Sequence, residues 1–227
     1  MSDEPRRFDP AGLGEPPAEL ALGQLPAGKH GLPRSFVARN QRLRVIAALL
    51  RVLPRHGYAA TTIGHITREA GVSRTAFYAQ FSSKENCFLE TYDLASGWLC
   101  DSVEGVVVSE RWPRGVRVGV GEALRLLAAN PPLAHLIAIE AAQAGPAARQ
   151  RQQESLARLA EILRAGRSAR PELPADLEEL LLGGALSVVA HRVENDRTEQ
   201  LPEIEAALVE CLLIPYLGPA KSRKIAA

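Results

Sequence analysis

The residues best suited to chemistry in this 227-residue chain lie in one stretch, Thr61 to Glu85, which reads TTIGHITREAGVSRTAFYAQFSSKE. Arg74 can bind guanine O6 and N7 in a bidentate way, Gln80 can do the same for adenine, and the methyl groups of Thr75 and Ala76 can touch thymine. Each good bidentate pair discriminates by about 1–3 kcal/mol. Catalytic groupings are weaker. Gly119-Val120-Gly121 begins like a dinucleotide-binding loop, but Leu124 replaces its third glycine and no strand precedes it. His191 and Glu194 are three apart, a spacing that could share a metal, yet no second carboxylate cluster accompanies them. No serine or cysteine has a neighbouring base that the sequence can place. We therefore expect no enzyme activity, no catalytic residue, no metal and no cofactor.

Base reading requires a short helix that can enter a groove, and the stretch supplies its punctuation. Thr62 offers a hydroxyl to cap a helix carrying Ile63, Ile66 and Ala70 at helical spacing. Gly71 ends it, because glycine takes the left-handed conformation of a helix exit without a Cβ clash. Ser73 caps a second helix, expected to run through Phe81, and Ser82 with Glu85 forms an S-x-x-E capping box for a third. Two helices joined by so tight a turn make a helix-turn-helix. At the N-terminus that Thr62 caps, hydroxyl, backbone amides and helix dipole all favour a phosphate. Thr62 and Ser73 are N-caps in any case, and a phosphate role would be additional.

The run AGVSRTAFYAQFSSKE resembles the DNA-binding signature of the TetR family of bacterial transcriptional repressors, roughly AGVS-x-x-T-[LF]-Y-x-[HY]-F-x-x-K-E. Gly57-Tyr58 and Thr61-Thr62 match the family's G-[YF]-x-x-[TS]-[TS] opening, and the likeness covers about residues 36 to 95. It implies phosphate contacts at Tyr78 and Lys84. It also implies a long fourth helix that relays effector binding to DNA release. Ala76 stands where the family often has threonine and Ala79 where a larger side chain is common, which shifts base reading towards Arg74, Gln80 and DNA shape.

Composition fits this reading once it is resolved along the chain. The net charge is only +1, but residues 34 to 92 hold nine bases and three acids. That excess would meet phosphates, or would simply form a solvated basic face. Residues 1 to 33 hold six prolines and five glycines and read as a flexible leader. Arg39 and Arg42, just beyond it, could lie along a DNA backbone. Cys87, Cys100 and Cys211 lack a C-x-x-C spacing and fit reduced, cytoplasmic thiols. No apolar run approaches the ~20 residues of a membrane span.

The fold expected is all-α. A leader (1–33) precedes a three-helix DNA-binding domain (34–82) and a larger helical effector-binding and dimerisation domain (83–227). The first helix should run from Ser35 to His56, bent by Pro54 and ended by Gly57. The fourth should begin at Ser83. A helix over 175 to 193 is apolar nearly all round and must be buried on two sides. With the last helix it could form a four-helix dimer interface through Leu182, Gly183, Leu186, Val189, Leu208 and Leu212, or an ordinary intrachain core. Tyr92, Trp98, Trp112 and His135 are the candidate pocket residues. The function expected is a dimeric repressor released from a palindromic double-stranded operator by a largely apolar effector. The alternative is a helix-turn-helix activator or architectural factor with no small ligand.

Overall fold

A computed structural model describes residues 34–227. The expected leader, 1–33, lies outside the described residues. Every regular element among them is helical. The first three helices, α1 (Arg34–Ala60), α2 (Ile63–Ala70) and α3 (Arg74–Tyr78), follow the punctuation closely. Thr62 Oγ1 accepts from His65 N at 3.1 Å, and Ser73 Oγ accepts from Ala76 N at 3.0 Å. Gly71 has φ of 62°, and its N–H donates to Arg68 O at 3.2 Å, so the α2 carbonyls are satisfied at the exit.

Three local expectations change. The break in α1 falls at Gly57 (φ 68°, ψ 162°) rather than at Pro54, and helix resumes to Ala60. A positive φ is open to glycine without strain, whereas Pro54 is accommodated inside the helix. Next, α3 ends at Tyr78, with a turn before Phe81. Finally, α4 (Lys84–Val107) is capped by Ser83, not by a Ser82/Glu85 box. Asn86 takes the place of the glutamate. Its N–H donates to Ser83 Oγ at 2.9 Å while its Oδ1 accepts from Ser82 N at 3.1 Å, so both ends of the exchange are filled one residue later.

The remaining helices are α5 (Arg114–Ala129), α6 (Pro131–His135), α7 (Ala141–Gln143), α8 (Pro146–Arg164), α9 (Leu177–Glu194), α10 (Glu205–Leu217) and α11 (Pro219–Ala226). A π-helical turn, Leu136–Glu140, joins α6 to α7. The sequence reading did not include α11. It starts at Pro219, whose fixed φ suits a first helical position, and it packs on α10.

One apolar core runs from Ile46, Leu49 and Leu53 on α1 through Phe77, Phe81 and Phe88 to Leu126, Leu133 and Leu136. A second cluster joins Val116, Leu163, Val209, Leu213 and Tyr216. Beside it Glu178 is fully buried but satisfied, accepting from Tyr216 Oη at 2.5 Å and from Arg167 Nε at 2.8 Å. The two-sided burial expected for the helix over 175–193 is not found within one chain. On α9, Leu180 is 71% exposed and Val188 43%, and on α10 Ile214 is 38% exposed.

Candidate nucleic-acid interface and apolar cavity

The surface of α2 and α3 is set by what those helices bury. Phe77 is fully buried against Phe81 (ring centroids 5.6 Å apart), which forces its neighbour Tyr78 outward to 56% exposure. Arg74, Thr75, Thr62 and Ser73 are also exposed, and Ala76 and Gln80 are half-buried. The Arg74 guanidinium reaches back to α2, with Nη2 3.5 Å from where a Cβ on Gly64 would stand. Arg74, Thr62 and Gly64 therefore come together at the N-terminus of α2.

Much of the local positive charge holds the unit together. Arg42 pairs with Glu90, donates to Gln80 O at 3.3 Å and lies 4.7 Å over the Phe81 ring. It ties α1 to the turn after α3 and to α4, so its guanidinium is already engaged within the unit. Arg44 donates to the carbonyls of Ala70 and Gly71, while Arg51 and Arg55 flank Glu69 and hold its carboxyl below the ordinary value. Lys84 is similarly engaged. Its Nζ donates to Tyr58 O at 2.8 Å and to Thr61 O at 2.9 Å, and burial lowers its pKa. An ammonium has three N–H donors, so one remains for a phosphate. Arg39 and Arg68 are exposed.

Behind this unit lies a cavity of about 150 Å³. Its walls are Leu99 and Val103 of α4, Val120, Ala123 and Leu124 of α5, Ile137 of the π turn, Leu156 and Leu159 of α8, and residues of α9 and α10. Every lining side chain is aliphatic or glycine. The expected pocket residues do not line it. Tyr92 is buried against Phe88, and Trp98 packs on the core. Trp112 donates from Nε1 to Ile162 O at 3.0 Å and meets Tyr216 edge to face. His135 lies beside Glu140, with Nδ1 3.4 Å from Oε1. Tyr92 and Trp112 thus have ring partners outside the space.

Residues 45–91 match the family model of bacterial regulatory proteins, tetR family. Over this stretch the chain carries a DNA-binding domain of the TetR-family type. A Bacillus subtilis relative, the uncharacterized HTH-type transcriptional regulator YerO, is 35% identical over 67 residues. That stretch is 30% of this chain and spans only 23% of the length of YerO. The whole fold is similar to the transcriptional regulator FadR of Bacillus subtilis in complex with stearoyl-CoA (TM-score 0.65, 21% identity, 78% of this chain and 98% of that one). It is similar also to the fatty acid degradation regulator FadR of Bacillus halodurans (TM-score 0.69, 22% identity, 76% and 94%). At these identities the likeness is one of fold.

The helices expected to pair with a second copy turn part of their surface inward. Leu182, Leu186 and Val189 of α9 line the cavity, as do Leu208 and Leu212 of α10, while Gly183 is exposed. Residues turned outward include Leu180, Gly183, Gly184 and Val188 on α9, with Cys211 and Ile214 on α10. Counting apolar residues around a helix does not distinguish the two faces. Among the described residues, no group of three or more His, Cys, Asp or Glu could hold a metal ion, and no helix is long and apolar enough to cross a membrane.

Proposed function

We propose that the chain is a dimeric transcriptional repressor whose operator affinity is lowered when a long apolar chain, of the fatty-acyl class, enters the cavity. The observation that carries this is a wholly aliphatic cavity touching α4, the helix whose first residue, Lys84, is bonded to the carbonyls just before α2. Such a lining gains from burying methylenes, about 0.8 kcal/mol each, and offers no partner to a polar group, so the polar end of the effector stays outside. The complex of FadR with stearoyl-CoA, on a similar fold, supports the class of ligand.

DNA contacts are assigned to Arg74, Thr75, Ala76, Tyr78 and Gln80, with Thr62, Ser73, Lys84 and Arg39 on the backbone. The second copy is assigned to the outward face of α9 and α10, where Leu180, Val188 and Ile214 leave large apolar side chains in water. A single recognition helix reads too few base pairs to select a site, so function also asks for two.

The test is binding to DNA flanking the protein's own gene, across a salt series, with and without stearoyl-CoA. We expect tight, salt-sensitive binding that exceeds binding to random DNA, weakens in Tyr78→Ala and is reversed by the acyl ligand. A complex unmoved by stearoyl-CoA would remove the effector class. Equal affinity for random DNA would remove the operator.

A further inference from the structure

The cavity and the DNA-reading helices are joined at a point that no contact along α4 accounts for. Glu140 is 1% exposed, and its Oε2 accepts from the backbone N–H of Tyr58 at 2.6 Å. That amide follows Gly57, where α1 breaks and its helical hydrogen bonding is interrupted. Beyond it the chain has little slack. Tyr58 O and Thr61 O both accept from Lys84 Nζ, which also lies 4.1 Å over the Tyr58 ring, and Thr62 then caps α2. Thus a carboxylate from the rear helices holds the segment that aims the helix-turn-helix.

The other end of Glu140 is attached to the cavity. It is the last residue of the π-helical turn Leu136–Glu140, and Ile137 in that turn lines the cavity wall. Gln152 of α8 donates from Nε2 to Ile137 O at 2.7 Å, satisfying a carbonyl of the turn. A π turn holds one residue more than an α turn, so relaxing it to α geometry rotates the flanking residues by roughly 100° relative to one another. In the π arrangement Glu140 is presented to Tyr58.

We infer that Glu140 is a positioning residue for DNA release: filling the cavity displaces Ile137, the π turn shifts, and Glu140 lets go of the Tyr58 amide. The segment Gly57–Thr62 then loosens, and α2 and α3 lose their fixed aim. The inference rests on the cavity being the effector site, but it assigns the transmission to a contact between α1 and the π turn. A buried carboxyl acceptor suits this role because the amide it satisfies is costly to leave unpaired.

Hydrogen exchange on the full chain tests it without an effector. Ala123→Phe places a ring in the cavity from α5, and Ala185→Leu does so from α9 should the first variant fail to fold. With Glu140 present, the filler should speed exchange of amides 58–66 about tenfold, the effect of losing one buried hydrogen bond. Glu140→Leu should show that fast exchange already, with the filler adding less than twofold. Glu140→Gln, which keeps an oxygen acceptor of the same reach, should restore slow exchange and the response to the filler. A filler that leaves 58–66 unchanged while slowing α8 and α9, or one that acts equally in the Glu140→Leu background, overturns the inference. Failure of the acyl-chain reading appears separately, as stearoyl-CoA leaving the exchange of α8 and α9 unaltered.

Discussion

The helices that would face DNA and the helices around the cavity are both apolar inside, yet they are finished differently. In the first region large rings lock together: Phe77, Phe81 and Phe88 are at most 1% exposed, and three successive helices carry side-chain caps at Thr62, Ser73 and Ser83. In the second, aliphatic side chains from five helices and the π turn leave space between them, and α5, α6, α8, α9 and α10 have no side-chain cap bond at their starts. A rigid small unit suits the presentation of a fixed surface to a rigid partner. An aliphatic chamber with space left inside suits an apolar guest.

The contrast is most sharply broken by deleting a ring. Phe77→Ala removes the side chain that seats α3, and we expect a loss of about 3–5 kcal/mol, measured by urea unfolding. A loss below 1 kcal/mol would mean that the first region is no tighter than the second.

Adding volume separates the two regions more directly. Ala48 on α1 is fully buried among packed neighbours, so Ala48→Leu should cost about 1–3 kcal/mol through overpacking. Ala123 borders the cavity, so Ala123→Leu should fill space and leave stability unchanged or raised. Equal losses at both positions in thermal unfolding would show that the cavity cannot accept a guest without strain.

Caps provide a third and smaller contrast. Thr62→Ala should cost about 1 kcal/mol, because it frees the amide of His65 at the start of α2. If Thr62 also meets a phosphate, the same change should weaken DNA binding at all sequences alike and flatten its salt dependence. A variant with reduced stability but unchanged salt dependence would limit Thr62 to its cap.

The two regions also differ in how far their sequences disclose them. Thr62, Gly71 and Ser73 each do a local task that a polar group or a missing Cβ performs within three residues, so type and spacing suffice to place them. The Ser82/Glu85 box was misplaced for the same local reason, since Asn86 offers a competing amide one step along. The cavity has no such mark. Its Leu, Val and Ala residues are chemically identical to those of the core, and only the tertiary arrangement decides which of them face a void. Aromatic and histidine side chains are therefore no guide to its lining, which is aliphatic throughout. Glu140 did leave a trace, as the one carboxylate in the apolar run Leu133 to Ala142. Its partner amide is 82 residues away, a pairing that no local pattern encodes.

That carboxylate gives the smallest effect and joins the two regions. Burial raises the Glu140 pKa, opposed by the hydrogen bond from Tyr58. Its neighbour His135 is shifted down, by burial first, opposed by the charge of Glu194. The signs follow from proton counts. As pH rises above about 4.5 the unfolded chain releases the Glu140 proton before the folded one does, so stability falls until the folded value is passed and stays lower beyond it. For His135 the unfolded chain binds its proton first as pH drops below 6.5, so stability falls in the acid direction from there. Glu140→Gln removes only the first contribution. Its stability should equal that of the parent chain below the unfolded carboxylate value and exceed it slightly at neutral pH, as read from unfolding midpoints at pH 4 and 8. The reverse ordering at pH 8 would mean that the Tyr58 amide gains more from the charge than burial takes away.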